Sequence, residues 1–223
     1  MGTESDKSGF TESWDSFYSR YARVYDWAVK YLPLWKHWLK QAIPEIKGRK
    51  VLEISFGTGY LMSRYAGNFD TYGIDYNADM LRTTADNLRS RRLSAHLARG
   101  DVEHLPYADE SFDTIVDTMA FSGYPDAEQA LSEITRVLRP DGKLVLIDFD
   151  HPNDRNWLGT AVARSWEAGG DIIHDLKAIF EKQGLAYSDR PIGGFGSVHL
   201  YVVEKPAAGA HPTALPDPNP ASS

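Results

Sequence analysis

Cysteine is absent from the 223-residue chain. That excludes disulfides, thiolate metal sites and a cysteine nucleophile, and it fits a reducing compartment. No apolar run approaches the roughly 20 residues that a membrane-spanning helix needs. Met1 to Gly9 is polar and lacks the apolar core of a secretory signal. The expected location is therefore the cytoplasm. An excess of basic residues is missing too: the formal net charge is −7. A nucleic-acid partner is not expected, because such domains usually carry a basic face.

What is present suits one α/β domain with trimmings. Hydrophobic residues make up 42% and charged residues 25%, as in ordinary globular chains. Residues 1–10 read as a disordered polar leader, 11–205 as a single domain, and 206–223, rich in Pro, Ala and Ser, as a disordered tail. Within the domain, apolar strands alternate with helical patterns. Strands are expected at Lys50–Ile54, Thr71–Asp75, Leu93–Ala98, Phe112–Asp117 and Lys143–Phe149. Helices are expected at Thr58–Ala66, Ala78–Ser90 with Asn77 as N-cap, Ala127–Val137, and about Asp171–Gln183. Arg139–Gly142, "RPDG", reads as a turn. Ala186–Arg190 and Val198–Glu204 read as a closing strand pair. This alternation predicts a Rossmann-like α/β fold: seven strands, mostly parallel, the last antiparallel, with helices on both faces. Ligands of such sheets bind beyond the carboxyl ends of the strands.

Three short stretches carry chemistry at those ends. In "VLEISFGTGYL", Val51 to Leu61, Gly57 and Gly59 follow the first strand and Glu53 lies near its end. Glycines there permit a tight turn and close approach of a ligand to the main chain; the plainer alternative is that they only make the turn. In "YGIDYN", Asp75 ends the second strand, 16 residues after Gly59. A carboxylate so placed has two oxygens for the two hydroxyls of a ribose; the plainer alternative is an acid that favours the start of the next helix. In "GDVEHLPYADESFDTIV", Asp101 and Val102 follow the third strand, where an adenine amine and ring nitrogen would meet a carboxylate and an N–H. A solvated loop acid is the plainer alternative for Asp101.

Together, "VLEISFGTG", "GIDYNADML", "GDVEHLPYADESFDTIV" and "EITRVLRPDGKLVLIDF" resemble the class I S-adenosylmethionine-dependent methyltransferases, from about Val51 to Phe149. "LPYADESFD" and "RVLRPDGKL" resemble the branch that includes ubiquinone/menaquinone biosynthesis and phosphatidylethanolamine N-methyltransferases. The resemblance implies S-adenosyl-L-methionine as cofactor. It implies that Glu53, Gly57 and Gly59 hold the methionine part, Asp75 the ribose, and Asp101 with Val102 the adenine; Ser55 and Tyr76 are expected among the cofactor-binding residues. Thr118, in the loop after the fourth strand, is expected on the cofactor and methyl side. The chain departs from the family at Ser55, where glycine is usual. Serine is accommodated there if the backbone stays extended, with its hydroxyl free for the cofactor; Phe56 is expected to pack on the sheet.

Acceptor recognition is read from three further segments. Residues 11–48 are crowded with aromatics, and "YSRYARVYDWAV" resembles the family's N-terminal lid. It makes Tyr21 a cofactor contact and Tyr18 and Tyr25 catalytic candidates. "DFDHPND" places His151 after the fifth strand as a general base, with no metal assigned. Residues 151–170 read as an insertion capping the acceptor side, with Trp157, Leu158, Val162 and Trp166 supplying an apolar surface. The expected activity is methyl transfer to an O-, N- or S-nucleophile on a small or lipid-like acceptor. The alternatives are a phospholipid amine N-methyltransferase, with "VKYLPLWKHWLKQAI" lying on a membrane surface, and a non-catalytic S-adenosylmethionine-binding module. A nicotinamide dehydrogenase would need a third glycine where Met62 stands.

Overall fold

The computed structural model describes residues 33–206. Helices are α1 Pro33–Lys40, α2 Met62–Tyr65, α3 Ala78–Ser90, α4 Ala127–Val137, α5 Trp157–Gly169 and α6 Leu176–Lys182. Strands are β1 Lys50–Ile54, β2 Asp70–Asp75, β3 His96–Arg99, β4 Phe112–Thr118, β5 Leu138–Phe149, β6 Ala186–Gly193 and β7 Val198–Glu204. They form one sheet in the order β3-β2-β1-β4-β5-β7-β6. Pairing is parallel from β3 to β5, while β7 runs antiparallel to both β5 and β6. The expected seven-stranded sheet with an antiparallel last strand is the observed one.

Strand alternation sorts the core into two layers. Leu52, Ile54, Ile115, Leu144 and Leu146 point to one face, covered by Ala130, Leu131 and Ile134 of α4 and by Leu176 and Phe180 of α6. Val51, Val116, Val145 and Ile147 point to the other, covered by Trp35 and Leu39 of α1, by Met62 and Tyr65 of α2, and by Leu88 of α3. From β1 the chain moves outward through β2 to β3, then returns to β4 on the far side of β1. The order thus reverses between β1 and β4, which opens a crevice at their carboxyl ends.

Local signals explain the best-matched helices. Asn77 Oδ1 accepts from the Asp79 amide at 2.8 Å, starting α3 at Ala78. Asp126 Oδ1 accepts from the Gln129 amide at 3.1 Å at the start of α4. Elsewhere the boundaries differ. The helix expected over Thr58–Ala66 shrinks to α2, because Gly57 and Gly59 hold the preceding loop in left-handed backbone. The third strand keeps only His96–Arg99. The "RPDG" turn is absorbed into β5 as a register shift against β4, with Asp141 at φ 63°. The segment 151–183 holds two helices rather than one: α5 is capped by Asn156 and ends before Gly170, φ 108°, and α6 is capped by Asp175.

One surface expectation changes. Trp166 of α5 stacks on Phe149, ring centroids 4.2 Å apart, and meets Trp35 at 6.0 Å, so it is spent on packing rather than facing a pocket. Trp35 and Leu39 of α1 are buried against the sheet, while Leu34 is exposed. Trp157 and Leu158 are exposed.

Candidate functional site

The loop between β1 and α2 is held from beneath by α3 and β2. Thr84 Oγ1 donates to the Gly57 carbonyl at 2.8 Å, and Asn87 Nδ2 donates to the Thr58 carbonyl at 2.9 Å. Gly59 has φ 68°, and a Cβ there would sit 2.5 Å from Thr84 Cγ2. Glycine is required on both counts. Gly57 has φ 54°, but among the described residues the space over its Cα is open to 4 Å. One glycine thus serves the packing of loop on helix, and the other leaves a bare backbone.

Asp75 closes the loop from β2. Its Oδ2 accepts from the Gly57 amide and its Oδ1 from the Asn77 amide, both at 2.9 Å. Each oxygen keeps a further lone pair for a ligand hydroxyl. Burial raises its pKa while the two amides lower it. Tyr76, beside it, is exposed, and its carbonyl accepts from Arg99 Nε at 2.9 Å. Asp101 is exposed and caps the 3₁₀ turn Val102–His104 by accepting from the Glu103 amide at 2.9 Å. Val102 is buried. Thr118 is half-buried at the end of β4.

Glu53 is fully enclosed. Tyr65 Oη donates to its Oε2 at 2.6 Å. Desolvation, opposed by that hydrogen bond, pushes its pKa up to about 8. Near neutral pH the side chain is therefore mainly an uncharged acid and not a standing negative charge.

Ser55 corrects one expectation. Its backbone is left-handed, φ 48°, and not extended. Its amide continues the β1–β2 ladder by donating to the Ile74 carbonyl at 2.8 Å, and the chain must then turn sharply away. Its hydroxyl is engaged as well, 2.8 Å from Tyr124 Oη. Phe56 is buried and packs over Gly73 of β2, as expected.

On the acceptor side, Met119 and Phe121 of the loop after β4 are buried in the core and do not line an open surface. His151 is half exposed, with Nε2 3.6 Å from Glu167 Oε1. Both oxygens of Asp148 are occupied, by Ser122 and by the Phe149 amide. Burial lifts its pKa to about 7. His199 is buried between Asp189 Oδ1 at 2.5 Å and the Gly196 carbonyl at 2.8 Å, a structural role. Tyr18, Tyr21 and Tyr25 lie outside the described residues. Sequence reasoning missed Thr84 and Tyr124. Thr84 was findable as a small residue on the inward face of α3; Tyr124 carried no signal.

Glu53, Gly57, Asp75 and the 102–104 turn thus stand at successive strand ends around a glycine left open. Ligands of such sheets bind at this edge, and residues 52–146 match the family described as "Methyltransferase domain". The matched segment is 95 of the 223 residues. The chain is 32% identical over 119 residues to the demethylmenaquinone methyltransferase of Renibacterium salmoninarum, covering 53% of this chain and 48% of that protein. It is 33% identical over 127 residues to the ubiquinone/menaquinone biosynthesis C-methyltransferase UbiE of Cellvibrio japonicus, covering 54% and 51%. The matched part spans about half the length of these relatives. A SAM-dependent methyltransferase from Thermotoga maritima shares the fold, with a TM-score of 0.68 at 19% identity over 84% of this chain and 98% of that one.

Proposed function

We propose that this protein transfers the methyl group of S-adenosylmethionine to a quinone-like small-molecule acceptor. The observation that carries the cofactor is the pairing of Gly57, open above its Cα, with Asp75, whose carboxylate ends β2 with lone pairs to spare. These residues fit the group. Asp75 would take the ribose hydroxyls, with Tyr76 beside it. Asp101 and buried Val102 would flank the adenine. Glu53, Ser55 and the glycine loop would hold the methionine part, with Tyr21 and Thr118 towards the methyl. The cofactor supplies an activated methyl on sulfur; the protein supplies alignment and exclusion of water.

The acceptor class rests on the relatives, whose names specify demethylmenaquinone and ubiquinone/menaquinone precursors. They favour a carbon nucleophile, which the reading from sequence did not include. A phenolic ring attacks through carbon more readily once its hydroxyl proton is removed. Among the residues first singled out, His151 is the proposed base, with Tyr18 and Tyr25 flanking the methyl. The apolar Trp157 and Leu158 at the start of α5 suit a hydrophobic acceptor. A cytoplasmic location belongs to the same reading; among the described residues no helix is long and apolar enough to cross a membrane.

An acceptor panel with labelled S-adenosylmethionine tests this reading: demethylated quinols against thiols, amines, phenols and phosphatidylethanolamine. Label on a quinol ring carbon is the expected result. Cofactor binding with no turnover on any acceptor would leave a binding module instead, and label on phosphatidylethanolamine would replace the quinol.

A further inference from the structure

Left-handed backbone at a serine is costly, because Cβ crowds the neighbouring carbonyl. Gly57 and Gly59 escape that cost in the same loop; Ser55 at φ 48° does not. Something must hold it there. The structure shows what does: the Ser55 hydroxyl lies 2.8 Å from Tyr124 Oη, and Tyr124 Oη donates to Asp117 Oδ2 at 3.0 Å.

The far end of this chain is unusual. Asp117 is fully buried near the carboxyl end of β4, registered between Ile54 of β1 and Leu146 of β5. Its other oxygen, Oδ1, is buried with no hydrogen-bond partner among the described residues. A carboxyl group in the apolar layer is expensive, and it accepts a hydrogen bond from Tyr124. Tyr124 is itself pinned. Its ring meets Phe121 edge-on at 5.2 Å, and its carbonyl lies 3.2 Å from His174 Nε2. The hydroxyl presented to Ser55 is thus fixed from three sides.

We propose that Tyr124, backed by Asp117, is a positioning residue for the cofactor loop. It holds Ser55 left-handed, and with it the Gly57 amide that Asp75 clamps and the bare Gly57 backbone that receives S-adenosylmethionine. The contact does for this chain what conformational freedom would do for a glycine at the same place. The inference rests on the cofactor reading above and adds to it a residue outside the glycine loop. It predicts a specific non-additivity: Tyr124 matters because residue 55 is not glycine.

The test is S-adenosylmethionine affinity by titration calorimetry for the wild type, Tyr124→Phe, Ser55→Gly and the double variant. Tyr124→Phe should weaken binding about tenfold, the usual worth of a part-buried hydrogen bond plus the group left unpaired. Tyr124→Phe in the Ser55→Gly background should cost less than about threefold, so glycine rescues the loss. A merely structural Tyr124 would lose the same factor in both backgrounds, and that result overturns the proposal, as does wild-type affinity in Tyr124→Phe. Should Tyr124→Phe fail to fold, Ser55→Ala removes the same contact from the loop end, with the same tenfold loss expected and unchanged affinity overturning the proposal. A wild type that binds no S-adenosylmethionine refutes the cofactor reading itself, and this inference with it.

Discussion

Replacing Glu53 by glutamine probes the centre of the site without emptying it. The amide side chain of Glu53→Gln keeps a carbonyl oxygen to accept from Tyr65 Oη, which donates to Glu53 at 2.6 Å in the native chain. What changes is titration. The native carboxyl holds its proton up to about pH 8, against an ordinary value of 4.5, because burial disfavours the charged form. Between those values the unfolded chain has lost this proton and the folded one has not. Stability from this group is therefore fully present below the lower value and is lost as pH rises towards the upper one. At about 1.4 kcal/mol per pH unit, the loss between about pH 5 and pH 8 is roughly 4 kcal/mol. Glutamine does not titrate. Glu53→Gln should thus track the wild type near pH 5 and exceed it by roughly 4 kcal/mol near pH 8. Urea unfolding at both pH values measures the difference, and other titrating groups cancel in the comparison. A gap between the two proteins that does not change with pH would refute the burial argument for Glu53.

Further outcomes follow from the loop and from the opposite end of the sheet. Gly59→Ala meets Thr84 at 2.5 Å and must adopt φ 68°, so it should lower stability by about 2 to 3 kcal/mol in thermal unfolding. Gly57→Ala meets nothing within 4 Å among the described residues and should cost only about 1 kcal/mol. Its methyl group points into the proposed cofactor space, so its larger effect should be on S-adenosylmethionine affinity. Equal affinity losses for two variants of such different stability would break that distinction. Asp113 accepts from the Arg49 and Lys50 amides at 2.8 Å each and pairs with Arg139 at 2.6 Å, far from the loop in the register of β4. Its carboxylate pKa is lowered by these donors, so its contribution is present near neutral pH and is lost as pH falls. Asp113→Ala should cost about 1 to 3 kcal/mol in urea unfolding while leaving cofactor affinity within about twofold.

The order of elements was legible because local and tertiary signals agree at most of them. Asn77 before an amphipathic run, and the apolar density of Lys143–Phe149, each point to the element that forms. The misreadings share a cause: residue type alone does not say what a side chain will meet. Trp166 has the character of a pocket wall and is instead a stacking partner of Phe149. Serine prefers extended backbone, yet the ladder bond to Ile74 and the contact with Tyr124 hold Ser55 left-handed. Tyr124 lies 69 residues from Ser55 along the chain, and no local pattern pairs them. Glu53 was legible as an acid at a strand end, but its protonation depends on complete enclosure, which only the packed structure gives.

The most direct test of the account is calorimetric titration of S-adenosylmethionine into the wild type and Asp75→Ala, with circular dichroism to confirm that both are folded. The account predicts one cofactor per wild-type chain and a loss of at least about 100-fold in affinity for Asp75→Ala, since the carboxylate clamps the Gly57 amide and is the group proposed to take the ribose hydroxyls. A folded Asp75→Ala variant that binds S-adenosylmethionine as tightly as the wild type would contradict it.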